Sequence, residues 1–287
     1  MRPARTVGLV PHRDRPGAHA LAQKAAAWLQ ARGVAVRVPG GLALASGLEE
    51  FAFDLAQFAA GLDLALSFGG DGTMLHTVQL IYPAAVPIVG VNVGQLAYLS
   101  EIEPADLEMW LAHLVAGEFE VSERMVLAID VESSGPAAGT WYALNEAVLE
   151  KQRSGHMIRL DVSINGTAFT TYAADGVIVA TPTGSTAYTF SARGPIVSPA
   201  LRNLVLTPIS PHMLFDRSLV LAEHEELEFV VCDGRYVELT VDGRELGPLG
   251  AGDRVRARAA KEPLELATLR PRDFHQILKT KFALPDR

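Results

Sequence analysis

Residues 68–75 of this chain read FGGDGTML, directly after the apolar run LDLALS. Asp71 is the only group in this stretch that can accept a proton or hold a cation. The glycines around it let a charged ligand come close to the main chain. The residue pattern predicts a buried strand ending at Gly69 and Gly70, then a helix starting near Thr73. A helix start presents unpaired N–H groups, which suit a phosphate. A carboxylate beside a phosphate is repelled unless it binds a metal ion or takes a proton from an attacking hydroxyl. Gly70, Asp71, Gly72 and Thr73 therefore suggest phosphoryl transfer.

A second stretch, ADGVIVATPTGSTAYTFSARGPIVSP at residues 174–199, places a loop dense in hydroxyls after the strand GVIVA. Thr183, Ser185, Thr186, Thr189 and Ser191 offer donors to a polar ligand. Tyr188 offers a ring face for stacking on a base. Other chemistries lack their residues. G-x-x-x-x-G-K-[ST] does not occur, and no G-x-G-x-x-G follows a strand. Ser185 has no evident His/Asp partners. The eight histidines show no metal-ligand spacing, so no structural metal is expected.

The elements that carry these loops change character along the chain. In the first third, TVGLVP, VAVRVP, LDLALSFGG and AVPIVGVN read as strands. AHALAQKAAAWLQARG, TMLHTVQLI and ADLEMWLAHLVAG read as helices, the last with a capping acid near its start. Such alternation predicts an α/β domain with a parallel sheet, over residues 1–118. From residue 119 to 267 the chain is rich in Val, Ile, Thr and Tyr. Asn165-Gly166, Asp233-Gly234 and Asp242-Gly243 are expected hairpin turns, since both residues of a type I′ turn need positive φ. The second domain is expected to be mostly antiparallel and β-rich. Residues 268–287 suggest a C-terminal helix returning to the first domain. Cys232 lies in an apolar strand and is expected in the core.

Composition bounds the partners. The 287 residues carry a net charge of −8, which argues against nucleic-acid or anionic-membrane contact but leaves room for a locally bound phosphate. A single cysteine excludes a disulfide framework, and no secretory or membrane-spanning stretch is evident, so a cytoplasmic setting is expected.

The order GGDGT, LNE, then ADGVIVATPTGSTAY resembles the NAD kinase family, which phosphorylates the adenosine ribose of NAD to give NADP. GGDGT alone is shared with phosphofructokinases and with diacylglycerol and sphingosine kinases, so a sugar or lipid kinase is an alternative, as is a non-catalytic dinucleotide sensor. TPTGSTAY is far more specific. The resemblance implies that Asp71 accepts the proton of the ribose 2′-hydroxyl, with Gly72 in the same nucleotide contact. It implies phosphate contacts by His76. Asn145 and Glu146 would hold the ribose and the nicotinamide end, and Asp175 would fix the nicotinamide side. Thr186, Ala187, Tyr188 and Ser191 would form the adenine-side loop with neighbouring Phe190, and His156, Arg244 and Glu245 fall at further ligand positions. It also implies ATP with Mg²⁺ or another divalent cation, or polyphosphate, as donor, and a homodimer or homotetramer. Ala97-Tyr98, Arg193 and Arg244 depart from the Gly-Phe, Gly and Gln usual in the family.

Overall fold

A computed structural model describes residues 2–94, 97–153, 155–232, 236–270 and 273–284. It divides into two units, Met1–Glu123 with Leu264–Arg287, and Arg124–Pro263. The first combines helices with a mostly parallel sheet; the second is built from antiparallel sheets.

Eight strands form the sheet of the first unit: β1 (Thr6–Pro11), β2 (Ala35–Pro39), β3 (Ala52–Phe53), β4 (Leu64–Gly69), β5 (Ile88–Asn92), β6 (Ser100–Ile102), β7 (Glu120–Arg124) and the late strand β20 (Leu264–Thr268). Their order is β3-β2-β1-β4-β5-β20-β7, with β6 also beside β5. All six residues of β4 and all five of β5 are buried, which is why both read as unbroken apolar runs rather than alternating ones. Composition assigns Leu264–Thr268 to the β-rich domain, but its parallel neighbour is β5.

Helix α1 (Pro16–Gln30) buries Ala18, Ala22, Ala25, Ala26 and Leu29, one stripe at helical spacing. It packs with α4 (Leu107–Ala116) over β1, β4 and β5. Between them in sequence come α2 (Gly40–Ser46) and α3 (Asp71–Ile81). The α3 helix starts two residues earlier than its apolar pattern suggests, because Gly70 takes the N-cap position. The acid expected to cap α4 does not: Asp106 occupies the N-cap position but makes no side-chain capping bond. The last helix, α6 (Phe274–Lys281), is capped by Asp273, whose carboxylate accepts from the His275 and Gln276 N–H groups.

The second unit contains β8 (Leu127–Glu132), β9 (Gly139–Ala143), β10 (Glu146–Lys151), β11 (Ile158–Ile164), β12 (Thr167–Ala174), β13 (Gly176–Ala180), β14 (Asn203–Ile209), β15 (Leu219–Ala222), β16 (Leu227–Val231), β17 (Val237–Val241), β18 (Arg244–Leu249) and β19 (Arg254–Ala259). They form two six-stranded sheets, β15-β14-β13-β10-β17-β18 and β12-β11-β16-β19-β8-β9. Leu149, Val179 and Leu206 of one sheet share a core with Ile129, Leu160 and Phe229 of the other. Asn165 and Gly166 have φ of 51° and 73°, and Asp242 and Gly243 have 49° and 75°, as their turns require. Asp233-Gly234 lies outside the described residues. Cys232 is exposed, not core, because it falls just past the end of β16.

Candidate active site

In the first unit, β4 delivers Asp71 to the carboxyl end of the parallel sheet, the usual ligand position in such folds. Its carboxylate is fixed by two main-chain donors: the Tyr98 N–H lies 3.1 Å from Oδ2 and the Leu99 N–H 2.9 Å from Oδ1. Lys281 of α6 brings its ammonium to 3.9 Å from Asp71 Oδ2 and to 3.5 Å from the Tyr98 ring centroid. Burial lowers the Lys281 pKa, and the Asp71 charge opposes that. An ionised carboxylate has about four lone-pair sites. With one main-chain donor on each oxygen, capacity remains for a ligand hydroxyl or a cation. Gly70, Asp71, Gly72, Thr73 and His76 line one cavity of about 490 Å³. Gly69 is needed for packing, since a Cβ there would overlap the Thr73 side chain.

In the second unit, Asn145 and Glu146 sit where the chain turns from β9 into β10. Asp242 organises that turn. Its carboxylate accepts the main-chain N–H groups of Leu144, Asn145 and Glu146 at 2.7, 2.8 and 3.1 Å. From the other side, the Thr181 hydroxyl donates to the Leu144 carbonyl at 2.5 Å and the Thr181 N–H to the Asn145 carbonyl at 2.9 Å. Gly184 packs against the Asn145 main chain so closely that any Cβ would overlap it.

Glu146 is buried, and its Oε2 has no hydrogen-bond partner. Burial first, then the nearby Asp242 charge, pushes its carboxyl up to about 8, against a hydrogen bond from the Tyr188 main chain. Burial also raises Asp242, to about 6, while its three N–H donors favour the ionised form. Both carboxyls are thus raised, Glu146 further than Asp242, and the protonated form of Glu146 is favoured. Glu146 can thus donate a hydrogen bond as well as accept one.

The hydroxyl-rich loop folds as a 3₁₀ turn, Thr183–Thr186, followed by α5 (Tyr188–Ser191). Its hydroxyls divide in use. Ser185 is fully buried; its Oγ accepts from the Val197 N–H at 2.9 Å and donates to the Pro182 carbonyl at 2.7 Å. Thr186 donates to the Thr183 carbonyl at 3.3 Å. These bonds hold the loop in shape. Thr189 is also fully buried, with no partner for its hydroxyl. Tyr188 and Phe190 expose 37% and 41% of their surface. Burial, and then the carboxylates of Glu150, Asp175 and Glu146, raise the Tyr188 phenol. Tyr188 and Ser191 line a cavity of about 520 Å³ together with Arg193 and Arg217.

The remaining expected positions also belong to this unit. Asp175 pairs with Lys151 at 2.6 Å. His156 lines a separate cavity of about 320 Å³ with Lys151 and Arg153. Arg244 sits over the Trp141 ring at 5.2 Å, and Glu245 is exposed. Arg193 has φ of 62°, the left-handed region that explains why glycine is usual there. Sequence reasoning missed Asp242 and Lys281. Asp242 had been visible only as half of a turn, and nothing in the tail marked Lys281. Among the described residues, no group of three or more His, Cys, Asp or Glu side chains could hold a metal ion.

Comparison with known proteins bears on both units. Residues 7–119 match the ATP-NAD kinase N-terminal domain and residues 144–269 the ATP-NAD kinase C-terminal domain. The NAD kinase of Heliobacterium modesticaldum is 39% identical over 277 residues, covering 96% of this chain and 98% of that protein. The NAD kinase of Syntrophotalea carbinolica is 37% identical over 283 residues, covering 98% and 99%. A crystal structure of yeast NADH kinase complexed with NADH superposes with a TM-score of 0.91 at 24% identity, covering 100% of this chain and 90% of that one. An NAD kinase from Archaeoglobus fulgidus in complex with ATP gives 0.72 at 23% identity, covering 97% and 96%. These two likenesses concern the fold.

Proposed function

Because this chain belongs to the NAD kinase family, we propose that it transfers the terminal phosphoryl group of ATP to the 2′-hydroxyl of the adenosine ribose of NAD, giving NADP. It is a kinase, and its activity is that of an NAD kinase. The observation that carries the finer reading is the Asp71 carboxylate. It is held by two main-chain donors at the edge of a cavity and retains acceptor capacity. Such a group can take the ribose hydroxyl proton as the oxygen attacks phosphorus. Asn145, Glu146, Asp175 and the 183–191 loop, with Tyr188 and Phe190 as stacking faces, are proposed to hold the dinucleotide.

The donor is proposed to arrive with Mg²⁺ or another divalent cation. Mg²⁺ commonly takes one or two carboxylates plus the substrate's own phosphates rather than a protein cage, and Asp71 with Asp14 on the same cavity fits that habit. The cation would supply charge neutralisation on the phosphates. Inorganic polyphosphate is a second candidate donor. Exposed apolar side chains on the second unit, Leu214, Phe215 and Phe169, support a homodimer or homotetramer. Among the described residues no helix is long and apolar enough to cross a membrane, and a cytoplasmic location is proposed. One assay tests the reading: incubate purified protein with NAD and Mg·ATP and detect product with an NADP-specific dehydrogenase. Phosphorylation of diacylglycerol or fructose 6-phosphate, without any of NAD or NADH, would overturn it.

A further inference from the structure

We propose that the turn after β1, through His12, Arg13 and Arg15, forms the second wall of a binding site for the polyphosphate chain of the phosphoryl donor, opposite the Gly-Gly-Asp-Gly loop. The inference rests on the kinase reading above and names residues that neither the motif nor the resemblance assigned.

Three observations meet in one cavity of about 490 Å³, a size within the ordinary range for ligand pockets. First, Gly70 and Gly72 line it, yet the protein itself does not require glycine at either. Neither has positive φ, and a Cβ at either would meet nothing within 4 Å. A side chain would fit the protein but fill the space in front of the α3 N-terminus. Second, Gly70 at the N-cap position leaves α3 without a side-chain cap, so main-chain N–H groups at the helix start are open to a phosphate.

Third, the β1 turn contributes cationic and donor groups. His12 Nδ1 accepts the Asp14 N–H at 3.1 Å, so the neutral ring carries its proton on Nε2 and can donate it. Arg15 is anchored, donating from Nη1 to the Val93 carbonyl at 2.8 Å. That leaves the rest of its fork, which is suited to phosphate oxygens. Arg13 is exposed beside it. His76 lies one turn beyond Gly72, on the same face of α3. Two carboxylates, Asp14 and Asp71, share the cavity. They balance the two arginines, so a bound polyphosphate would bring a divalent cation with it.

The test uses the full chain and the variant Arg13→Ala, at an exposed position where folding is not at issue. Calorimetry with Mg·ATP and with magnesium tripolyphosphate should each show affinity reduced about ten-fold or more, the loss typical of one charged hydrogen-bonding partner. In steady state, KM for ATP should rise by a similar factor, with KM for NAD within two-fold. Equal weakening of both probes assigns the wall to the phosphate chain; weakening of ATP alone would overturn that assignment. A rise in KM for NAD without one for ATP would overturn it too, giving the cavity to the dinucleotide pyrophosphate. Unchanged binding of both probes would also overturn it. Should the wild-type chain fail to phosphorylate NAD, the kinase reading falls, while the calorimetry still decides the site.

Discussion

Replacing Glu146 by Gln removes a buried titration and leaves size and hydrogen-bonding capacity nearly intact. The carboxyl is raised from 4.5 to about 8, chiefly by burial, with the Asp242 charge adding to it. The sign follows from proton counting. Above pH 4.5 the unfolded chain releases this proton while the folded chain keeps it. Stability is therefore fully present below about 4.5 and is lost as pH rises through about 8. The full swing is at most about 5 kcal/mol. Asp242, raised to about 6, adds a loss of the same sign that ends earlier and persists in the variant. Urea unfolding at pH 5.5, 7 and 8.5, followed by circular dichroism, measures the difference. With a urea slope of about 2–3 kcal/mol per M, the wild-type midpoint should fall by about 1–2 M relative to Glu146→Gln across that range. Midpoints that move in parallel in both proteins would show that Glu146 does not hold a proton in the folded state.

Three further outcomes are expected. Asp71→Asn should lower kcat about 10²–10⁴-fold if the carboxylate is the base, with NAD affinity retained by calorimetry; partial rescue by excess Mg²⁺ would assign it to the cation instead. Asn145→Ala should weaken NAD binding about ten-fold or more, the loss of one buried hydrogen bond, with the circular dichroism spectrum unchanged. Gly184→Ala, whose added methyl overlaps the Asn145 main chain, should lower Tm by about 4–8 °C; an unchanged melting curve would mean the loop simply moves aside.

Sequence revealed what depends on neighbours in the chain. The parallel sheet showed in its unbroken apolar runs, and the hairpin turns showed in Asn165-Gly166 and Asp242-Gly243, residues that accept positive φ. Asp71 could be singled out because its flanking glycines leave little else for that loop to do. What stayed hidden depends on pairings across long separations. Asp242 serves Leu144, Asn145 and Glu146 from almost a hundred residues away. Nothing in its own surroundings separates that use from an ordinary Asp-Gly turn. Lys281 reaches Asp71 only because the last helix belongs to the first unit. The burial that shifts Glu146 is likewise a property of the folded sheet, not of the tripeptide LNE. Ser185 shows the converse: a hydroxyl in a ligand-like motif that is used to hold Val197 and Pro182.

The net charge of −8 gives no guide to where anions bind, because each unit arranges its charges differently. In the second unit, Glu146, Glu150 and Asp175 surround the Tyr188 phenol closely enough to raise it, and Asp242 sits against Glu146. In the first unit, the two arginines of the β1 turn cancel Asp14 and Asp71. The uncapped N–H groups at the start of α3 then tip the local potential positive, more so once a divalent cation arrives with the ligand. A phosphoryl group arriving in that cavity would meet Asp71, whose carboxylate is already oriented by the Tyr98 and Leu99 main-chain donors.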